Sequence, residues 1–388
     1  MNTTHRHLPI ERAAPPDPAP RAFARATLLA LLLVLLASAG CGGGGGSGGP
    51  IPDTASPPPD PVAAGPYPVG VTRLELYDAS RDRRLVTEVW YPAAETARDL
   101  PPAPVASYLP PDSAGLGDLF TIPLVAVRDA PLAEGGPFPL VEFSHGSGGL
   151  RFVTSFQMEH LASHGFVVAA PDHPGDTFFE NSGTEAEQAA NRPLDMRFLA
   201  DEMTRLTNET GGRLEGWIDT TKGFGITGHS FGAFTSLAAA SSDDRFVAVL
   251  PMALGGPISD GYDAATLFLL ATEDRQIGLE GNQGVRDTFN RAPKPRFLGE
   301  VIDAGHQSFT FLCATAFPTG DGDGCKTGTR LEDGSPFPFV DFARVWDLVN
   351  GSSVAFFGRY VKDIKEYDAV LASNLDPEIL RYTAEPAD

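Results

Sequence analysis

A chain of 388 residues, 42% hydrophobic and 20% charged, can bury a sizeable core and is too apolar for wholesale disorder. Its 29 basic residues face 50 acidic ones, a net charge of −21. A surface of that sign repels phosphate backbones and anionic headgroups, which argues against nucleic-acid binding.

Arg6, Arg12, Arg21 and Arg25 precede an uncharged stretch at 26–40 that contains the apolar run Leu28 to Leu36. The run falls short of the roughly 20 residues that span a bilayer. A basic region, a short apolar core and small residues describe an export signal. Two cleavage readings fit. Ala37-Ser38-Ala39 suits ordinary signal peptidase, giving a secreted soluble protein. Ser38-Ala39-Gly40-Cys41 resembles a bacterial lipoprotein box, although Ser38 stands where leucine is usual. The lipoprotein reading gives Cys41 a role as the lipidated first residue and is the expectation adopted. Residues 41–65 are glycine-rich and then proline-rich, so they form a spacer with no core of its own. The expected organisation is a signal at 1–40, a tether at 41–65 and a catalytic domain at 66–388, touching membrane only through the lipid.

From Gly70 the pattern is regular. Val71 to Tyr77 and Leu85 to Tyr91 alternate like half-buried strands, with a turn opening at Asp78. The stretch 101–136 is proline-rich and irregular, a loop of a length that usually has a task. Its Tyr108, Leu109 and Phe120 are candidate lining for a substrate pocket. Pro139 to Ser144 is a short apolar strand running into His145-Gly146-Ser147-Gly148-Gly149. A helix is expected around 155–163, stopped by Gly165. Phe166 to Ala170 is a continuous apolar run, as in a parallel strand covered on both faces. Helical spacing over 194–206 comes next, then a strand at 224–227 and a helix at 231–240. Two more buried strands (246–250 and 266–271) and closing helices over 340–361 follow. Such alternation calls for a mostly parallel sheet with helices on both faces.

The sharpest motif is Gly228-His229-Ser230-Phe231-Gly232, between a strand and a helix. The chain must reverse within a few residues, so Ser230 takes a strained conformation while the glycines admit close packing. The amide of Phe231 then points from a helix N-terminus to where an oxyanion would form. A serine hydroxyl needs a base, and on such an elbow the partners follow in chain order. Of eight histidines only His306 lies downstream of Ser230. Ten carboxylates stand between the two, and Asp274, just past the apolar strand ending at Ala271, is the preferred orienting acid. Glu273 is the main rival and Asp303 a weaker one. The loop after Ser144 should give the second oxyanion donor, assigned to the amide of Ser147 and not to its hydroxyl.

These residues resemble the α/β-hydrolase superfamily, within it the platelet-activating-factor acetylhydrolase-like and dienelactone-hydrolase-like esterases. The likeness rests on Asp129-Ala130-Pro131-Leu132, Phe143-Ser144-His145-Gly146, Leu161-Ala162-Ser163-His164-Gly165, the elbow, and Ala304-Gly305-His306-Gln307-Ser308-Phe309. It implies an α/β-hydrolase fold and metal-free ester hydrolysis. Ser230 is then the nucleophile, Asp274 and His306 its partners, and the amides of Ser147 and Phe231 the oxyanion hole. Dienelactone hydrolases use cysteine where this chain has Ser230, so lactone opening is not carried over.

Cys313 and Cys325, seven and nineteen residues after His306, are expected to form a disulfide, with two free thiols as the alternative. Such a bridge would steady the base-bearing loop. Asp321-Gly322-Asp323-Gly324 begins like a calcium loop, but Cys325 and Lys326 occupy the wrong places, so it reads as an acidic turn. His160 and His164 lack the glutamate of a zinc helix and read as structural; Asp172-His173-Pro174-Gly175-Asp176 reads as a turn. The function expected is a serine esterase for short-chain or phospholipid-acetyl-type esters, with no cofactor and no metal. The alternatives are a polyester, cutin or lipid hydrolase and an inactive lipid-anchored binding protein.

Overall fold

The computed structural model describes residues 59–120, 122–315 and 323–387. The signal, Cys41 and most of the tether lie outside them. In chain order the elements are β1 (Val69–Asp78), β2 (Arg83–Pro92), β3 (Val127–Arg128), β4 (Leu140–Ser144), α1 (Ser155–Ser163), β5 (Val167–Pro171) and α2 (Glu185–Asn208). There follow β6 (Phe224–His229), α3 (Phe231–Ala240), β7 (Phe246–Met252), β8 (Ala265–Ala271), α4 (Gly278–Arg291) and β9 (Arg296–Val301). The last are β10 (Thr327–Thr329), β11 (Pro336–Pro338), α5 (Phe342–Tyr360), α6 (Tyr367–Leu371) and β12 (Leu380–Glu385).

Ten strands form one sheet in the order β12-β9-β8-β7-β6-β4-β5-β2-β1-β3. From β5 to β9 the strands are parallel; β2 runs antiparallel to β5, β1 to β2, and β12 to β9. The apolar runs that looked continuous in sequence split by alternation between two cores. Val141, Phe143, Val168, Ala170, Leu267 and Leu269 face one layer with α1 and α5. Leu140, Val167, Ala169, Ile226, Phe268 and Leu270 face the other with α2, α3 and α4. Covering both faces explains why these strands carry almost no polar positions.

Two departures from the sequence reading have physical causes. Helix α2 begins at Glu185, well before the expected 194, because Thr184 and Glu187 form a reciprocal capping box. It then continues through Pro193, which the packing of Met196, Leu199 and Met203 tolerates. Strand β12 was not anticipated. It is an edge strand whose exposed positions blunt its hydrophobic alternation.

Candidate active site

The parallel strands β6, β8 and β9 bring the site residues to their C-terminal ends. Ser230 follows β6 and caps α3 with φ 57° and ψ −125°, a positive φ without glycine. Such a conformation costs on the order of 1–3 kcal/mol and persists because its surroundings hold it. Its amide donates to Met252 O at 2.8 Å. A Cβ at Gly228 or Gly232 would strike backbone, at Gly232 the Ser144 carbonyl, so both glycines are needed for the turn to close.

Asp274 lies just past β8 and is fully buried. One carboxylate oxygen accepts from the Gln276 and Ile277 amides at 3.0 and 3.1 Å. The other faces His306 Nδ1 at 2.6 Å. Among the described residues, Nδ1 is the imidazole nitrogen that has a hydrogen-bond partner. Glu273, the rival acid, turns elsewhere: it takes Arg330 Nη1 at 3.0 Å and the Leu331 amide at 2.8 Å. Asp303 also pairs with Arg330. The His306 ring packs 4.6 Å, centroid to centroid, from that of His229, the residue before Ser230. His229 Nε2 donates to the His306 carbonyl at 3.0 Å. Burial, and then His306, hold the His229 pKa well below its ordinary value, so it is a neutral donor.

The loop after β4 lies beside the nucleophile: a Cβ at Gly146 would sit 3.3 Å from that of Ser230. Ser147 Oγ is spent on Asp176 at 3.1 Å, and the Gly148 amide donates to the same oxygen at 2.6 Å. Among the described residues, neither the Ser147 nor the Phe231 amide donates to a protein group. Arg192, fully buried on α2, reaches Asp176 at 2.7 Å, Ser144 Oγ at 3.0 Å and the His145 carbonyl, with its guanidinium 4.7 Å from the Phe231 ring centroid.

A second Ser–His–Asp arrangement lies behind this loop. Ser144 Oγ meets His173 Nε2 at 2.9 Å, and His173 Nδ1 meets Asp195 at 3.0 Å. All three are fully buried, and Arg192 donates to the Ser144 hydroxyl. Burial, and then Arg192, lower the His173 pKa to about 4. It is a sealed polar cluster that no ester could enter. Asp172–Asp176, read as a plain turn, thus supplies two buried anchors, and no local pattern announced Arg192 or Asp195 as their partners.

Other expectations come out as follows. Cys313 and Cys325 are bonded, with Cα atoms 5.2 Å apart. His160 and His164 each turn Nε2 to a backbone carbonyl, of Pro61 at 2.8 Å and of Ala63 at 2.9 Å. Tyr108, Leu109 and Phe120, the expected pocket lining, are at most 4% exposed. Tyr108 packs on Phe152, and Phe120 on Phe152 and Phe311. Short helical turns at Val105–Tyr108 and Pro111–Leu119 fold this apolar loop onto the core, where water exclusion favours it.

Comparison with known proteins agrees with this architecture. The model of the platelet-activating factor acetylhydrolase, isoform II family matches residues 60–210. The platelet-activating factor acetylhydrolase of Cavia porcellus is 26% identical, with 79% of each chain covered. That of Canis lupus familiaris is 28% identical over 63% of this chain and 62% of its own. That of Bos taurus is 30% identical over 45% of this chain and 48% of its own. Among solved structures, a ferulic acid esterase from Streptomyces cinnamoneus superposes with a TM-score of 0.60 and 23% identity, covering 78% of this chain and 93% of that one.

Proposed function

We propose that this chain, a member of the α/β-hydrolase superfamily with platelet-activating factor acetylhydrolases among its relatives, is a serine esterase acting through an acyl-enzyme on Ser230. The observation that carries the reading is the buried Asp274–His306 pair, packed against the residue preceding a strained serine on a strand-to-helix elbow.

The chemistry follows from the geometry. With Nδ1–H committed to Asp274, His306 offers Nε2 as the base that takes the Ser230 proton. The serine oxygen attacks the ester carbonyl, and the carbonyl oxygen gains negative charge. The Ser147 and Phe231 amides supply that oxygen with fixed donors, each worth typically ~10²–10³ in rate. Asp274 keeps the imidazole in the right tautomer and stabilises the imidazolium. His306 then gives its proton to the departing alkoxide, and the same cycle with water frees the acid. The chain's own residues and water suffice for every step.

For the substrate, the relatives' name, platelet-activating factor acetylhydrolase, speaks for an acetyl or similarly short acyl ester. Export is supported by the Cys313–Cys325 bridge, since disulfides persist in oxidising compartments. That pairing leaves Cys41 for the lipid anchor. No helix among the described residues is long and apolar enough to cross a membrane.

The test is turnover of p-nitrophenyl esters from acetate upward together with labelling by a fluorophosphonate. Wild type should label on Ser230 and prefer acetate or butyrate. If Ser230→Ala keeps wild-type turnover and labelling, the reading is wrong.

A further inference from the structure

The Asp274 and His306 loops are joined near the sheet by strand-end contacts: Glu273 N to Ala304 O at 3.0 Å and Asp303 N to Thr272 Oγ1 at 3.1 Å. Farther out, a third segment enters between them. Asp323 Oδ1 accepts from the amides of His306 at 2.9 Å and Arg275 at 3.1 Å, and its Oδ2 accepts from that of Gln276 at 3.1 Å. The Asp323 carbonyl accepts from Gln307 at 2.7 Å. One carboxylate thus grips the backbone of the base itself and of the two residues that follow the acid. The Gln276 amide is shared, lying 3.0 Å from Asp274 and 3.1 Å from Asp323.

The sequence around this grip is shaped to allow it. A Cβ at Gly305 would sit 2.7 Å from Asp323 Oδ1, so only glycine lets the carboxylate approach. Gly324 has φ +110°, and Ser308 Oγ ties the two turns together by donating to Gly324 O at 3.2 Å while accepting from Gly305 N at 3.1 Å. Cys325 then bonds to Cys313, in the helical turn Phe311–Ala314 that follows His306. A disulfide therefore ties the segment bearing Asp323 to the segment bearing the imidazole. The acidic turn that began like a calcium loop spends its Asp323 oxygens on backbone amides.

We propose that Asp323 is the positioning residue that holds the Asp274–His306 pair in register, and that the Cys313–Cys325 bridge keeps Asp323 seated. The proposal rests on the esterase reading above. The Asp323 carboxylate bonds to backbone amides, while the His306 ring bonds to Asp274. Its removal therefore acts on the chemical step and leaves substrate affinity alone.

The experiment uses the full chain with Asp323→Ala, Asp323→Asn and the double variant Cys313→Ser/Cys325→Ser. The readouts are kcat and KM for p-nitrophenyl acetate, thermal unfolding, and the downfield proton resonance of His306 Nδ1–H. Asp323→Ala should lower kcat by up to ~10²-fold, the usual cost of an ångström's misplacement, with KM unchanged and the resonance lost or shifted. Asp323→Asn keeps one acceptor oxygen and should recover part of the rate. The bridge-free variant should move the same way by less, and dithiothreitol should mimic it in wild type while adding nothing to Asp323→Ala.

A folded Asp323→Ala with wild-type kcat and an unchanged resonance overturns the proposal. If that variant does not fold, Asp323→Asn decides by the same criterion, and after it the bridge-free variant. Failure of the underlying reading looks different: Ser230→Ala would stay active whatever Asp323 does. An inactive Ser230→Ala beside a fully active Asp323→Ala refutes the latch alone.

Discussion

Glu142 sits in the middle of β4, between Ala169 of β5 and Ile226 of β6, facing the core layer of α2 and α3. It is fully buried, and among the described residues neither carboxylate oxygen has a hydrogen-bond partner. Burial pushes its pKa well above the ordinary glutamate value, so the folded protein holds it as the neutral acid. The sign of the pH effect follows. Above about pH 4.5 the unfolded chain releases this proton while the folded chain keeps it, so folding takes up a proton. Stability is fully present below that pH and falls by about 1.4 kcal/mol per pH unit until the folded group ionises too. Glu142→Met is close in volume and removes both orphan oxygens, which should stabilise the fold by roughly 1–3 kcal/mol near pH 5. Above that pH the gain should grow, because the variant no longer has the linked proton. At roughly 2 °C per kcal/mol for a domain of this size, the shift is readable by calorimetry. Thermal midpoints of wild type and variant at pH 5 and pH 8 give the test, and other titrations cancel in the difference. A variant less stable than wild type at pH 8, or a gain that is the same at both pH values, would refute the reasoning.

Outcomes are expected at four further positions. Glu159 is buried and raised to about 7, mainly by desolvation and against the Ala126 and Val125 amides that its carboxylate accepts. The same sign applies over a narrower window, so Glu159→Gln should gain thermal stability on wild type between pH 4.5 and 7 and no further above it. Asp274→Asn should lower kcat by about 10⁴ by favouring the wrong imidazole tautomer. Glu273→Gln should leave kcat alone and cost about 1 kcal/mol through Arg330, so paired kinetics and unfolding separate the two neighbours. Arg192→Met leaves Asp176 buried without its cation and should cost roughly 3–5 kcal/mol in urea unfolding. Arg192→Lys should recover only part of that, since an ammonium cannot fork to Asp176, Ser144 and the His145 carbonyl together.

What could be read from the chain alone divides by the range of the interaction that fixes it. The elbow was legible because the steric demand of the turn falls on Gly228 and Gly232, each two residues from Ser230, and leaves a local signature. The parallel strands were legible because burial on both faces removes polar residues from five or more consecutive positions. His306 was singled out by chain order and Asp274 by its place just past a strand end, and the structure pairs the two side chains. The start of α2 is equally local in principle, written in Thr184 and Glu187, whereas the helical spacing over 194–206 marks only its later turns.

The supports of the site belong to a different class. Arg192 and Asp176 are sixteen residues apart, Asp323 and His306 seventeen, and Asp323 and Arg275 forty-eight. None of these contacts leaves a periodicity, because each depends on where three-dimensional packing brings an isolated charge. Composition even misleads here, since in a chain with 50 acidic residues one more aspartate reads as solvated surface. The glycines retain a trace. Gly305 and Gly324 are residues without which Asp323 could not reach the backbone of His306, just as Gly232 is the residue without which Ser230 could not turn. A glycine flanking a candidate site residue can therefore be read as a statement about which other backbone must pass close by. At Gly305 the backbone that passes is the one that brings the Asp323 carboxylate to the His306 amide.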